Sequence, residues 1–347
     1  MMRGLVLHGP GDVRVETLPD PVPDDAGGAV VRVLGTAICG SDLHLYHGAM
    51  GAGEPLRVGH EFVGEVVETG RGVAGFRPGD QVIVSGVIGC GACPPCRRGQ
   101  VVRCRAMATR VFGTRPDLPG GQAQAVAVPA ADHALRRVPE DVGLEQAVLL
   151  TDVLPTAHFG AKLAGIRPGD DVAVIGLGPV GLLAVLCAGL FGPARVFAVD
   201  PVPERRRHAE GMGARALTPD EAPEALAEAT DGQGVDAVIE AVGGDDTILA
   251  AVQWVRAGGT VAVIGVNVRM DLPFPMGLAF MKDLTLRTGL VPVPELWPEL
   301  VPLVAAGRLA PERVFTHRMG LSQGPEAYGL FAARREGVLK VLLDPAR

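Results

Sequence analysis

A chain of 347 residues with 48% hydrophobic and 20% charged content is long enough for two domains and too apolar to be disordered as a whole. Its formal net charge of −7 excludes broad electrostatic attraction to nucleic acid or to an anionic membrane. The 48 glycines and 29 prolines imply many tight turns, without the G-X-Y period of collagen.

The opening stretch, Met1 to His8, has too short an apolar run for a signal peptide. Up to about residue 150, short strand-like runs at 30–34, 65–67 and 81–84 alternate with Gly, Pro and Asp turns, predicting an irregular β-rich domain. Two segments in it carry chemistry. Cys39-Gly40-Ser41-Asp42-Leu43-His44 is followed by Gly59-His60-Glu61-Phe62-Val63-Gly64, a set that could form a metal site with an open position. Equally, His44 and His47 could be surface imidazoles and Asp42 a turn residue. Cys90, Cys93, Cys96 and Cys104 then follow as C-x2-C-x2-C-x7-C. Four thiolates so spaced suit a closed, structural zinc site; the rivals are an iron–sulfur cluster or unligated core cysteines. The last spacing of seven, with no proline after Cys104, favours zinc.

From Asp171 the pattern changes to alternating strands and helices: 172–175, a helix from about Pro179, 195–199, a charged helix at 204–212, 235–239 and 260–264. That rhythm predicts a parallel, doubly wound sheet. The stretch 172–194 has no charge, but Gly176, Gly178, Pro179 and Gly181 make it a buried strand–turn–helix rather than a membrane span. The chain is accordingly expected to be soluble and cytoplasmic. Gly176-Leu177-Gly178-Pro179-Val180-Gly181 is a GxGxxG motif between a strand and a helix, and Asp200 follows Gly181 by 19 residues at the end of the next strand. A carboxylate there would hold the adenosine ribose hydroxyls of NAD; the alternative is a tight turn and a turn-forming Asp before Pro201. Cys187 reads as a small buried hydrophobe. Val291-Pro292-Val293-Pro294 marks a second boundary, and a last strand at 338–343 could rejoin the first domain.

In their order along almost the whole chain, the Cys39 segment, Gly59-His60-Glu61-x-x-Gly64, the four-cysteine lobe, Asp152 and the GxGxxG–Asp200 unit resemble the zinc-dependent alcohol dehydrogenases of the medium-chain dehydrogenase/reductase superfamily. The resemblance implies a GroES-like β-rich catalytic domain, residues 1–152 and 291–347, with a structural zinc lobe at about 86–108. A Rossmann NAD-binding domain would occupy 153–290, with the active cleft between the two. Cys39, His60 and Asp152 would hold a catalytic zinc, Glu61 would be an alternative ligand, and Asp42 would orient the His60 ring. Many relatives have Cys where Asp152 stands; an Asp resembles bacterial secondary-alcohol and formaldehyde dehydrogenase branches, although a helix N-cap would also explain it. Ser41 and His44 match a proton relay. Thr156, Arg205 and Lys340 match positions that contact the cofactor, with Arg206 and Arg207 solvated.

Two departures stand out. Thr156-Ala157-His158-Phe159 replaces the common Thr-Gly-aromatic-His, leaving His158 without a role. Gly86 stands where many small-alcohol enzymes have a bulky aromatic, implying a wider pocket. The expected activity is hydride transfer between an alcohol, or its aldehyde or ketone, and NAD rather than NADP, with two zinc ions per subunit. A formaldehyde or polyol dehydrogenase of the same superfamily is the alternative, and a non-enzymatic NAD-sensing zinc protein the rival of another class. The expected partners are a small-molecule substrate and further copies of the chain, as dimer or tetramer, with neither nucleic acid nor membrane.

Overall fold

The structure is a computed structural model that describes residues 1–49, 55–106, 110–269, 271–335 and 337–347. The expected end of the four-cysteine lobe near residue 108 lies outside these. The chain divides into one unit of Met1–Pro155 with Val291–Arg347 and a second of Thr156–Leu290.

In the first unit the strand Ala29–Ala37 is buried along most of its length, as a run of small and β-branched side chains allows. It pairs antiparallel with Glu61–Thr69, with Ala125–Val128 along its first half, and with Lys340–Asp344 at its end. Lys340–Asp344 in turn runs parallel to Phe315–Gly320, so the C-terminal segment returns to the sheet of the first 150 residues. The register places the site. Ala37 is opposite both Glu61 and Leu342, so three strand ends carry Cys39, His60 and Lys340 to one edge of the sheet. Beneath them packs an apolar cluster that includes Leu5, Leu7, Ile38, Val341 and Leu343.

The second unit contains a six-stranded sheet, parallel throughout, in the order Arg215–Leu217, Arg195–Val199, Asp171–Ile175, Val235–Glu240, Val255–Val263, Thr285–Thr288. Counted along the chain this is 3-2-1-4-5-6, the doubly wound Rossmann order, whose switch point lies between Asp171–Ile175 and Val235–Glu240. The strand expected at 260–264 begins earlier, at Val255. Gly258 and Gly259 look like a turn in sequence. They form a bulge instead, with Gly258 at φ +70° and a register shift against Val235–Glu240. The helix expected at 204–212 spans Pro203–Glu210. Among the described residues no helix is long and apolar enough to cross a membrane.

Candidate functional site

Cys39 leaves the end of Ala29–Ala37, His60 precedes Glu61–Thr69, and Asp152 lies in the turn before the helix Val153–Ala164. One donor atom from each of Cys39, His60, Glu61 and Asp152 lies within 4.8 Å of the others. His60 Nδ1 is 3.1 Å from Asp42 Oδ1, and Nε2 is 3.6 Å from Asp152 Oδ2. A carboxylate this close to Nδ1 favours the ring proton there, leaving the Nε2 lone pair toward Cys39 and Asp152. Burial works against a charged His60, yet the negative Asp42 and Cys39 and the hydrogen bond to Asp152 raise its pKa well above the ordinary value. Burial, reinforced by Glu61, pushes the Cys39 thiol up, so a thiolate there calls for a cation. A pocket of anionic donors that favours positive charge at its centre fits Zn²⁺.

Ser41 Oγ is 3.3 Å from Cys39 Sγ and 3.4 Å from His60 Nε2. His44 lies on the helix Asp42–Tyr46, half-buried, its imidazole held below its ordinary value by burial and by His47. Gly86 donates its N–H to Thr151 O at 3.0 Å, and a Cβ on it would stand 2.7 Å from His60 O. The missing side chain at Gly86 is thus demanded by backbone packing around His60.

Lys340 has a partner that the sequence reading does not name. It is fully buried, its Nζ 2.7 Å from Glu61 Oε2 and 3.1 Å from Ile38 O. Burial opposes that charge, but Glu61, Cys39 and Asp152 raise the ammonium's pKa. The ammonium is directed at Glu61, which lies 279 residues away in sequence.

The four lobe cysteines also converge within 4.8 Å, and none of the six cysteines is in a disulfide. The N–H groups of Arg105 and Cys96 pull Cys93 down to about 6, whereas burial pushes Cys96 up to about 12. Without a cation such a quartet cannot hold four thiolates; a divalent ion resolves the conflict. The neighbouring Arg97, Arg98, Arg103 and Arg105 offset the charge that four thiolates bring.

In the second unit Gly176 has φ +85°, and a Cβ there would strike Val242 Cγ2 at 2.3 Å. Gly181 lets its helix close on the strand, since a Cβ would stand 1.7 Å from Gly176 O. Gly178 differs. Its φ of −66° suits any residue and a Cβ would meet nothing within 4 Å, so its bareness keeps open a cradle at the N-terminus of the helix Pro179–Gly189, ready for a phosphate group. Asp200 is held beside this loop: Oδ2 accepts from the Leu177 N–H and Oδ1 from the Val202 N–H, both at 2.8 Å. Arg205 Nη1 is 3.6 Å from Asp200 Oδ2. Arg206 is not simply solvated as expected: it donates to Asp200 O and Pro201 O at 2.7 and 2.9 Å, while Arg207 pairs with Glu204 on its own helix. Thr156, on the helix Val153–Ala164, opens this unit.

Three residues were not singled out from the sequence. Gln122 and Tyr328 lie behind Asp42. Glu240 ends its strand and accepts from the N–H groups of Val242 and Gly243 and the Thr247 hydroxyl at 2.7–2.9 Å. No spacing rule marks an amide after two glycines or a carboxylate closing an apolar strand.

Residues 25–140 match the family described as alcohol dehydrogenase GroES-like domain, and residues 179–306 that described as zinc-binding dehydrogenase. A probable zinc-binding alcohol dehydrogenase of Mycobacterium tuberculosis is 44% identical over 344 residues, covering 99% of this chain and 89% of that protein. The solved alcohol dehydrogenase of Thermus sp. ATN1 superposes with a TM-score of 0.92 at 39% identity, covering 99% of both chains. A structure described as a zinc-binding dehydrogenase from Sinorhizobium meliloti 1021, bound to NADP, superposes with a TM-score of 0.84 at 30% identity over 99% of both chains.

Proposed function

Since this chain belongs to the zinc-dependent alcohol dehydrogenases of the medium-chain dehydrogenase/reductase superfamily, with a GroES-like domain and a Rossmann sheet, we propose that Cys39, His60 and Asp152 hold its catalytic zinc, that the four lobe cysteines hold a second, structural ion, and that Asp200 selects NAD. The protein is an alcohol oxidoreductase; nothing supports the non-enzymatic alternative. The observation that carries the assignment is the convergence of donors from Cys39, His60, Glu61 and Asp152 within 4.8 Å, with Asp42 beside His60 Nδ1.

When bound, zinc supplies the Lewis acidity that makes an alcohol a stronger acid, and NAD supplies the hydride acceptor. The chain's own residues do the rest. Asp42 keeps the His60 proton on Nδ1, so Nε2 stays available as a donor. Ser41, in contact with Cys39 Sγ, would take the substrate's hydroxyl proton while passing its own through the nicotinamide ribose to His44, whose pKa is lowered by burial and by His47. Glu61 is kept in reserve behind the three ligands by Lys340. Asp200 accepts the ribose hydroxyls beside the Gly178 cradle, with Arg205 next to it. The substrate is a small alcohol, aldehyde or ketone, and the enzyme works as a homo-oligomer. Reducing conditions in the cytoplasm suit six cysteines outside any disulfide and a thiolate-rich metal set.

Metal analysis of purified protein should find two zinc ions per subunit. Cys39→Ala and Asp152→Ala should each lose one ion and all turnover in a screen of alcohols, aldehydes and ketones, while NADH binding, read by fluorescence, persists. Full activity in Asp152→Ala would remove Asp152 from the ligand set and make Glu61 the third donor.

A further inference from the structure

Behind His60, beyond Asp42, runs a line of buried polar groups to which the alcohol chemistry gives no role. Asp42 opens the helix Asp42–Tyr46 and is buried. While its Oδ1 faces His60, its Oδ2 accepts from the Cys39 N–H at 3.0 Å and from Gln122 Nε2 at 3.2 Å. Gln122, wholly buried, also donates to Ala37 O at 3.1 Å and through Oε1 accepts from the Tyr328 hydroxyl at 2.8 Å. The amide fits in this orientation alone, since its oxygen, if turned over, would face the Ala37 carbonyl and the Asp42 carboxylate. Tyr328 comes from the helix Gly324–Ala332. Its ring stacks on Tyr46 at 5.5 Å, and Tyr46 lies four residues beyond Asp42 on the same helix. Burial and the charge on Asp42 push the Tyr328 phenol well above its ordinary value, so it remains a donor.

We propose that Gln122 and Tyr328 are positioning residues of the metal site: the Tyr328 hydroxyl fixes the Gln122 amide, the amide fixes Asp42, and Asp42 sets both the His60 ring and the Cys39 backbone. The inference rests on the zinc reading of Cys39, His60 and Asp152. A carboxylate whose one partner is an imidazole can swing about its own χ2. Two donors on Oδ2 leave Oδ1 aimed at His60. With an apolar residue at 122, Ala37 O and Asp42 Oδ2 would each be short of a donor in a dry interior, where such a loss is costly and Asp42 would turn to compensate. The C-terminal helix is thereby coupled to metal retention without approaching the ligands themselves.

Gln122→Leu, Tyr328→Phe, Asp42→Asn and the double variant Asp42→Asn/Gln122→Leu test this against wild type. Zinc release to a chromogenic chelator gives affinity, Co²⁺ in place of zinc gives a ligand-field spectrum, and thermal melting reports the fold. Outer partners of a metal ligand typically alter affinity about 10- to 100-fold. Gln122→Leu should weaken the Cys39-site ion within that range and shift the cobalt bands, leaving the ion at the four-cysteine lobe unchanged. Tyr328→Phe, which keeps the ring stack, should act less strongly in the same direction and carries the test should Gln122→Leu not fold. In the Asp42→Asn background, Gln122→Leu should add little. A Gln122→Leu protein that melts lower but keeps wild-type release and spectrum overturns the proposal, as does an undiminished effect in the Asp42→Asn background. A wild type with no exchangeable metal at Cys39 overturns the zinc reading as well.

Discussion

Lysine is rare in this chain, at 162, 282 and 340 alone, and two of the three sites show what an ammonium offers that a guanidinium does not. Lys282 Nζ reaches the carbonyls of Val252, Gln253 and Val255 at 2.7–2.9 Å, capping the end of the helix Asp245–Trp254 with one compact charge. Lys340 neutralises Glu61 where neither touches water. Removing one partner of a buried pair costs about 3–5 kcal/mol, because the other charge is left alone. Lys340→Met should therefore lower the melting temperature of the zinc-loaded protein sharply, and Lys340→Met/Glu61→Gln should recover most of the loss; equal melting of single variant and wild type would show the pair uncoupled. Asp200 permits a second prediction. Its carboxylate would meet a 2′-phosphate as a like charge in a partly dry site, worth ~2–4 kcal/mol, or roughly 30- to 1,000-fold in kcat/KM for NAD over NADP. Arg205, 3.6 Å away, pulls the other way, but Asp200 is the group fixed by two N–H donors. Asp200→Asn, close in shape, should erase most of the preference. A wild-type preference for NADP in steady-state kinetics with both cofactors would refute the role of Asp200.

At the scale of elements, the four-cysteine lobe and the loop after Val235–Glu240 behave differently. The lobe has four donors and no open position, so Cys93→Ser should lose one zinc ion and thermal stability while turnover per intact Cys39 site persists. Metal content, melting and kcat together check this. In the loop, burial raises the Glu240 pKa against the opposing pull of the Thr247 hydroxyl and the N–H groups of Gly243 and Val242. An acid whose folded pKa is raised favours the fold when protonated. Its contribution is present at low pH and fades as pH climbs from the unfolded to the folded value. Glu240→Gln, which cannot titrate, should show a flatter decline in melting temperature over that interval than wild type; parallel melting curves across pH would exclude the group as a source of the slope. What could be read in advance follows from distance along the chain. The GxGxxG turn was legible because Gly176, Gly178 and Gly181 answer to clashes and openings within a few residues. Gln122 and Tyr328 meet across 206 residues, and Lys340 meets Glu61 across 279, where no local pattern reaches. The strand Thr285–Thr288 escaped for another reason. All four of its residues are exposed, so it lacks the apolar alternation that marks a strand.

That strand matters for the molecule as a whole. Thr285–Thr288 is the last in the order of the six-stranded sheet, so one of its edges has no strand beside it among the described residues. Just before it, the helix Met276–Met281 exposes Met276, Phe280 and Met281 at 68%, 81% and 79%, and Leu286 and Leu290 are also exposed. An open edge next to so much apolar surface is an aggregation hazard in a lone subunit. A second copy would remove it. Across a two-fold axis the same edge and the same side chains meet their own counterparts, and isologous contacts of this kind are the commonest in soluble oligomers. The proposed homo-oligomer should accordingly form through this face of the second unit. Sedimentation velocity should find a dimer or larger assembly at micromolar concentration. Phe280→Glu with Leu286→Arg, which places charges where apolar side chains would face their copies, should shift the protein to monomer with its zinc content intact. A wild type that sediments as monomer, or a double variant that remains assembled, would rule this face out as the contact.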